Sequence, residues 1–231
     1  MIISLEGLRK TAKSTFGLSA PPKIVFFNFD LGVDRVEPRY RPPKEDVIIL
    51  DYGTLSVINK KKQSAFVQKE WSRLLKEYND ALEDPKVQSI VFDTFTAVWE
   101  LRRLAYLAEL NDEAERKGES PRKALMPQEY FIPNTDMKMI ISQAKMHNKH
   151  LILIHHLKEV YKEGRPTGEM EADGFKYTGD LADVILQSSK RDGKPVYTVK
   201  DCGLTLRAEG LEIEEPTFRK VEELLTKLRN M

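Results

Sequence analysis

The sequence contains a single cysteine, and this scarcity excludes two ways of supporting a fold. With Cys202 as its one thiol, the chain has neither a disulfide framework nor a cysteine-rich zinc site. Its four histidines show no paired metal-ligand spacing, so a zinc centre is poorly supported. We expect Cys202 to be a small buried residue and not a nucleophile.

The sequence also lacks long apolar runs and an excess of either charge. No run of about 18 apolar residues occurs and the N-terminus has no apolar signal core, so we expect a cytoplasmic chain without membrane attachment. Lys and Arg number 37 against 36 Asp and Glu, so any nucleic-acid binding must come from local basic patches. Hydrophobic residues make up 41%, which is enough for the core of a single α/β domain spanning 1–231.

Apolar runs of strand length alternate with patterns of helical spacing along the chain. Strand patterns occupy 1–6, 23–30, 47–52, 87–94, 150–157, 181–187 and 196–199, and helical patterns occupy 14–19, 65–83, 98–115, 135–148 and 216–229. This alternation predicts an α/β fold with a mainly parallel central sheet and helices on both faces. Ligands of such sheets bind beyond the carboxyl ends of the strands.

Two segments between these elements are predicted to be irregular. An insertion at about 100–127 ends in an exposed loop, and 158–178 is polar, contains glycine and has no periodicity. Loops of this length in a compact domain are more often functional or disordered than idle. The charged run 60–62 is typical of a solvated turn.

A phosphate-binding loop is predicted between the first strand and the first helix. Gly7, Lys13 and Ser14 have the spacing of the pattern G-x-x-x-x-G-K-[ST], but Ala12 stands where the second glycine is expected. If residue 12 needs a positive φ, alanine costs on the order of 1 kcal/mol there. An ordinary strand–turn–helix that happens to carry these residues is the alternative.

Each residue of this loop has a role in the phosphate-binding interpretation. Backbone N–H groups of the loop, including those of Lys10 and Thr11, turn inward around phosphate oxygens at the start of a helix. Lys13 reaches the β- and γ-phosphates of ATP, Ser14 ligates Mg²⁺, and Thr15 donates to the α-phosphate. The predicted cofactors are therefore ATP and Mg²⁺.

Two carboxylates end predicted strands at the same edge of the sheet as this loop. Asp93 is a candidate for the acid that holds the Mg²⁺ water shell, although an aspartate after a strand also often caps a helix. Asp30 is a candidate general base for an attacking water, or a turn-forming residue before Gly32. We expect Asp30, Asp93, His156 and the phosphate loop to converge.

Taken in order, these motifs resemble the RecA-like recombinase core, and particularly the short phage-type RecA-like single-strand annealing ATPases. The resemblance covers about residues 1–205 and is carried by GLRKTAKSTF at 7–16, VFFNFDLGVD at 25–34, SIVFDTFTAV at 89–98, LILIHHLKEV at 151–160 and FKYTGDLADVILQ at 175–187. It implies a RecA-like P-loop NTPase that binds and hydrolyses ATP, binds single-stranded DNA and promotes annealing or recombination. The implied setting is the cytoplasm of a phage-infected or lysogenic bacterium.

The resemblance also implies roles for single residues. Asp30 matches the catalytic carboxylate, which is usually Glu in RecA proteins, and Asp93 matches the Mg²⁺-site acid. His156 matches the polar γ-phosphate sensor, which is often Gln. His155 and His156 should point to opposite faces of a strand, so at most one can face the nucleotide. Ordinary hydrogen-bonded packing is the alternative for both histidines.

The DNA-contacting loop of the family matches 158–178. Cations that bind phosphates and aromatic rings that stack on bases are what a single strand requires. The cations of this segment are Lys158, Lys162, Arg165 and Lys176, and its rings are Tyr161, Phe175 and Tyr177. Several acidic residues share the segment and nearly cancel its charge, so a solvated flexible loop is the alternative.

Assembly is expected from the same resemblance. Lys200 matches the position from which RecA-like subunits send a cation into the neighbour's nucleotide site, although a surface lysine at a strand end is the alternative that the residues favour slightly. The chain departs from longer RecA proteins in showing no N-terminal polymerisation helix and no sizeable C-terminal DNA-binding domain. We therefore expect a homo-oligomeric ring or a DNA-dependent assembly, with a single-strand-binding protein as a further partner.

Two other functions stay open on the sequence. A P-loop kinase of a small molecule or nucleoside needs an arginine-rich lid, for which Arg102, Arg103, Arg116 and Arg122 are candidates. A degenerate P-loop protein that binds nucleotide without hydrolysis and mediates recombination is favoured by Ala12.

Overall fold

The elements of the chain follow one another largely as the sequence patterns predict. The computed structural model describes residues 1–53 and 63–231, so the charged run 60–62 lies outside the described residues. The strands are β1 (Ile2–Gly7), β2 (Ile24–Asn28), β3 (Val47–Asp51), β4 (Ser89–Asp93), β5 (His150–His155), β6 (Leu157–Lys162), β7 (Arg165–Ala172), β8 (Val184–Arg191), β9 (Lys194–Cys202) and β10 (Glu212–Glu214). The helices are α1 (Lys13–Gly17), α2 (Gln63–Glu83), α3 (Phe95–Arg116), α4 (Phe131–Met146), α5 (Thr178–Leu181) and α6 (Phe218–Arg229).

The central sheet has eight strands in the order β10-β9-β8-β1-β5-β4-β2-β3. Neighbours from β8 to β3 are parallel, whereas β9 and β10 add to the β8 edge in antiparallel orientation. The predicted α/β fold with a mainly parallel sheet is therefore confirmed. Because parallel strands end at the same edge, this order brings together the carboxyl ends of β1, β5, β4 and β2.

Helices cover both faces of the sheet, as predicted. On one face α2, α3 and α4 bury a cluster that includes Phe27, Phe92 and Leu153 of the strands. On the other face α1 and α6 pack against Leu5 and Ile154. The inner strands are buried on both faces, which is why they read as continuous apolar runs instead of alternating patterns.

The expectation of an irregular loop over 158–178 is wrong, because β6 and β7 form a two-stranded antiparallel hairpin there. Glu163 and Gly164 have φ of 52° and 76°, the two left-handed residues that a tight hairpin turn needs. Most hairpin side chains are exposed, so its strands lack the apolar alternation that marks a half-buried strand.

The region expected to be an insertion is largely a core helix. α3 buries Val98, Leu101 and Ala105 over the sheet, and the irregular chain begins only after Arg116. Cys202 is buried, as expected. Within residues 1–53 and 63–231, no helix combines the length and the apolar character that a membrane span needs.

Candidate nucleotide-binding site

The predicted phosphate loop runs from the end of β1 to the start of α1. Gly7 is required by close packing, because a Cβ at this position would lie 1.9 Å from the Ser188 hydroxyl oxygen on β8. Lys10 and Ala12 both have left-handed backbone conformations, with φ of 63° and 64°. Position 12 thus needs the positive φ for which the pattern usually supplies glycine, and alanine is strained there.

Lys13 turns back into the concave side of the loop. Its Nζ donates hydrogen bonds to the carbonyl oxygens of Gly7 at 2.9 Å and Leu8 at 2.6 Å, and the residue is 7% exposed. Burial lowers the pKa of Lys13, while the nearby carboxylates of Asp93 and Asp30 oppose that shift. The ammonium group therefore lies among oxygen acceptors at the centre of the loop, where a phosphate oxygen would also be received.

The first turn of α1 meets the end of β4 through a hydroxyl–carboxylate pair. Ser14 Oγ donates to Asp93 Oδ2 at 2.6 Å, and Asp93 is 3% exposed. Burial raises the pKa of Asp93, and the hydrogen bond from Ser14 opposes that shift. Gly32 borders this pair: a Cβ there would contact Ser14 Oγ at 3.4 Å and Asp93 Oδ2 at 3.8 Å.

The Ser14–Asp93 pair suits Mg²⁺ better than a fully protein-bound metal. Mg²⁺ usually takes one or two carboxylates together with water and substrate phosphate oxygens. In the described part of the chain, no group of three or more His, Cys, Asp and Glu side chains is arranged to hold a metal ion. A hydroxyl and one carboxylate beside the predicted phosphate loop therefore fit a metal that would arrive with a nucleotide.

Asp30 and His156 face each other beside this pair. Asp30 Oδ2 lies 3.5 Å from His156 Nε2, and the side chains are 48% and 28% exposed respectively. The contact with His156 lowers the pKa of Asp30, partial burial opposes this shift, and Arg35 and Arg9 add to the lowering. Asp30 is consequently a carboxylate across the neutral range, held near Asp93 without being buried like it.

Asn28 positions the turn that carries Asp30, and sequence reasoning missed it. The Asn28 side chain is buried at the end of β2, where its Nδ2 donates to Asp51 Oδ1 at 2.6 Å and its Oδ1 accepts from Gly32 N at 3.1 Å. The backbone N–H of Asp30 donates to the Asp93 carbonyl at 3.1 Å. A polar residue at the end of an otherwise apolar run was the only available signal.

The two histidines at the end of β5 have different surroundings, and His156 is the one beside Asp30. His155 is fully buried with its ring edge against Phe95 and its Nδ1 3.2 Å from the Asp173 carbonyl oxygen. Burial lowers the pKa of His155 to about 4, and its buried Nε2 has no hydrogen-bond partner among the described residues.

The base of the β6–β7 hairpin is tied to the strand end that carries His156. Asp173 N donates to the His156 carbonyl at 2.8 Å. Thr96 Oγ1 donates to the Asp173 carbonyl at 2.8 Å and accepts from His156 N at 3.3 Å. Thr96, in the first turn of α3, therefore joins the hairpin to the edge of the sheet where Asp93 lies.

The predicted DNA-binding cations are spread along this hairpin and beyond it. Lys158 Nζ lies 3.5 Å from Glu171 and 3.7 Å from Asp173, and Lys162 lies 4.0 Å from Glu169. Arg165 is exposed next to the hairpin turn. Lys176 follows the hairpin, and its Nζ lies 4.7 Å from the centre of the Tyr177 ring. Both lysines of the hairpin thus have carboxylates of β7, or of Asp173 just after it, as neighbours.

Lys200 has a partner within its own chain. Its Nζ lies 2.6 Å from Oε1 of Glu6, whose side chain is 4% exposed, while the lysine is 46% exposed. The sequence did not suggest this pair, because the two residues are distant in the chain and meet only through the order β1-β8-β9.

Of the arginines considered for a kinase lid, Arg102 packs within the helical layer, Arg116 is exposed at the end of α3, and Arg122 lies in the loop that follows. Arg102 is 5% exposed and binds Asp136 of α4 at 2.6 Å and Glu109 at 2.8 Å. Arg122 forms an ion pair with Glu129. These contacts hold helices and the following loop together, so they do not support a mobile lid.

Comparison with known proteins adds one finding about the fold. No protein-family model and no curated protein matches the chain. A solved structure, the crystal structure of the RadB recombinase, is similar over 92% of this chain and 85% of that chain, with a TM-score of 0.53 and 19% sequence identity. At that identity the likeness concerns the fold alone: the chain shares its α/β fold with the RadB recombinase.

Proposed function

We propose that this chain is a RecA-like recombination ATPase that binds MgATP and acts on single-stranded DNA. The observation that carries the proposal is the 2.6 Å contact between Ser14 and Asp93, with Lys13 in the loop and Asp30 beside His156 at the neighbouring strand ends. In a RecA-like fold these groups line the edge at which such sheets bind ligands.

The loop and its lysine bind and orient the phosphates. Inward N–H groups and the Lys13 ammonium attract the phosphate oxygens, and Ser14 and Asp93 hold the metal that accompanies them. Mg²⁺, if bound there with the nucleotide, would neutralise charge on the phosphate oxygens. Asp30 accepts a hydrogen bond from the attacking water; its lowered pKa makes it a weak base, so orientation of that water is its main role.

In this proposal the β6–β7 hairpin is the part of the chain that contacts DNA. His156 lies between Asp30 and the base of the hairpin, and Thr96 forms hydrogen bonds with both His156 and Asp173. A movement of Asp30 or His156 on nucleotide binding can therefore be transmitted to β6 and β7. Lys158, Lys162, Arg165 and Lys176 are the proposed phosphate contacts. The ion pairs within the hairpin must loosen for this, so we expect weak, strongly salt-dependent binding of DNA.

We further propose that the chain promotes annealing or strand exchange. It would do so as a ring or as a DNA-dependent oligomer. In an oligomer Lys200 would leave Glu6 to reach the neighbour's nucleotide. Cooperation with a single-strand-binding protein belongs to the same proposal.

The decisive experiment is ATP turnover by the full chain with and without single-stranded DNA, compared with Lys13→Ala. We expect stimulation by DNA and a loss of at least about a hundredfold in the variant, because Lys13 is the central cation of the loop. Turnover that is equal in wild type and Lys13→Ala would contradict the assignment of the site.

A second candidate is favoured by the left-handed alanine at position 12. Strain at Ala12 is compatible with a protein that binds nucleotide without turning it over and mediates recombination by others. Measurable MgATP affinity without turnover, in the presence and absence of DNA, would support this candidate over the ATPase.

A further inference from the structure

The predicted phosphate loop contains two strained residues. Lys10 and Ala12 are both left-handed, and the Ala12 side chain makes no capping hydrogen bond to α1. A non-glycine residue in this conformation costs about 1 kcal/mol or more, and such strain persists only where surrounding structure enforces it. Lys13 and Thr11 contact carbonyl oxygens within the loop, and a contact from another element can add to this support.

Ser188 on β8 makes that contact. Its Oγ lies 2.6 Å from Thr11 Oγ1, and Thr11 is the residue between the two strained positions. Ser188 Oγ also lies 3.1 Å from the Glu6 carbonyl oxygen, and Thr11 Oγ1 lies 2.8 Å from the Leu8 carbonyl oxygen. Because each hydroxyl has one proton, one of the two donates to the other, and the hydroxyl that accepts donates to its carbonyl. The hydroxyl pair thus links the entrance of the loop to its middle.

The position of Ser188 follows from strand register. β8 pairs with β1 in parallel, and Ser188 is the partner of Gly7, with no room for a side chain between them. Ser188 is 5% exposed and Thr11 is 7% exposed, so water does not compete for their hydrogen bond. A weaker contact, from the Tyr197 hydroxyl to the Thr11 carbonyl at 3.4 Å, comes from the next strand.

We propose that Ser188 is a positioning residue for phosphate binding: it holds Thr11, and thereby keeps the loop in the left-handed shape that allows alanine at position 12. This proposal deepens the proposed nucleotide site but concerns the loop itself, so it is testable without nucleotide. The other interpretation is that Ser188 and Thr11 are merely two buried polar groups that satisfy each other.

A thermodynamic cycle separates these interpretations. Wild type, Ala12→Gly, Ser188→Ala and the double variant are unfolded with urea in the absence of nucleotide. In the wild-type background, Ala12→Gly removes strain and should lower the unfolding equilibrium constant about fivefold. In the Ser188→Ala background the loop has already relaxed, so the same change should have almost no effect. Equal effects in both backgrounds would overturn the proposal.

The matched control is Ser189→Ala on the same strand. Ser189 Oγ donates to the Val196 carbonyl at 3.0 Å and does not contact the loop. Its loss should therefore leave the full fivefold effect of Ala12→Gly in place. If Ser189→Ala abolished that effect as well, a general loosening of β8 would explain the cycle and the proposal would fail.

A second pair of variants, at Thr11, tests the proposal if the Ser188→Ala chain does not fold. Thr11→Val removes the hydroxyl contact with Ser188 from the loop side, together with the contact to the Leu8 carbonyl, and Thr11→Ser keeps both. The effect of Ala12→Gly should disappear with Thr11→Val and persist with Thr11→Ser; persistence in both would overturn the proposal.

MgATP affinity gives a readout that a purely structural role would not move. Ser188→Ala should weaken binding about tenfold, and adding Ala12→Gly should restore part of it, since glycine adopts the left-handed shape without strain. No recovery with glycine would count against the proposal. If wild type binds no MgATP, the proposed function fails, while the unfolding cycle still decides the role of Ser188.

Discussion

The hydroxyl of Ser14 donates a 2.6 Å hydrogen bond to the carboxylate of Asp93 and thereby joins the start of α1 to the end of β4. Asp93 is almost completely buried, and burial raises its pKa. The folded chain therefore binds a proton at Asp93 more readily than the unfolded chain, and the ionised carboxylate lowers stability at neutral pH. A buried carboxylate that lowers the stability of the fold, as Asp93 does, indicates a function that needs its negative charge.

Asp93→Asn is expected to raise stability and remove function. Asparagine keeps an acceptor for Ser14 but not the buried charge, so the midpoint of urea unfolding at pH 7 should rise. MgATP turnover should fall by at least about a hundredfold, because a neutral amide is a poor partner for the metal. Urea titration checks the predicted gain in stability, and a turnover assay checks the predicted loss of activity. A destabilised Asp93→Asn chain with normal turnover would contradict this role.

Ala12→Gly is expected to stabilise the chain, against the usual effect of glycine. Because φ at position 12 is 64°, glycine should add about 1 kcal/mol to the free energy of unfolding, and the melting temperature should rise by about 2–4 °C. Ala97→Gly in α3 is the control; there glycine should destabilise by about 1 kcal/mol. Calorimetry of both variants checks the prediction, which is wrong if both changes have the same sign.

Stability is expected to fall between pH 6.5 and pH 4 because of His155. Burial lowers the pKa of His155 to about 4 from its ordinary 6.5, so in this window the unfolded chain takes a proton that the folded chain refuses. The loss should approach about 1.4 kcal/mol per pH unit for this residue.

The His155 contribution is isolated by comparison with His155→Gln. His150 also has a pKa lowered to about 4, by burial and by the nearby N-terminal amine, and Asp93 acts in the opposite direction. Both contributions are common to the two proteins. Urea unfolding at several pH values should therefore give a shallower pH dependence for His155→Gln; identical slopes would refute the assignment to His155.

Thr96→Val is expected to uncouple the hairpin from the proposed nucleotide site. Valine keeps the shape of Thr96 but loses the hydrogen bonds to Asp173 and His156. Stimulation of ATP turnover by single-stranded DNA should fall severalfold, with turnover in the absence of DNA much less affected. Thr96→Ser keeps the hydroxyl and should retain stimulation. Equal stimulation in the valine and serine variants would show that this contact is only structural.

Lys200→Gln is expected to have two separable effects. Loss of the cation beside buried Glu6 should lower the free energy of unfolding by about 1 kcal/mol, a modest value because Lys200 is half exposed. In the proposed oligomer it should also reduce turnover. Mixing this variant with Lys13→Ala should then restore activity, since one subunit supplies an intact Lys200 to the other's intact phosphate loop. If mixing restored no activity, the proposed role of Lys200 in the neighbouring subunit would be contradicted.

Much of the fold and part of the site follow from local patterns in the chain. β1, β2, β4 and β5 are continuous apolar runs because both of their faces are buried, and such runs are recognisable without a structure. Gly7, Lys13 and Ser14 show their spacing in one short segment, and Asp93 and Asp30 mark the ends of runs. The need for a positive φ at position 12 was also foreseeable, because the pattern reserves that position for glycine.

The contacts that complete the site were decided by strand order and register, which no local pattern contains. Ser188 meets Thr11 and Gly7 only because β8 lies beside β1, and His156, not His155, meets Asp30 only because of the direction in which β5 ends. The hairpin after β5 escaped prediction because exposed strands bury too little to impose alternation. Periodicity reports which side of an element is buried; it does not report which distant residue buries it, and that pairing arises from the packing of the whole sheet.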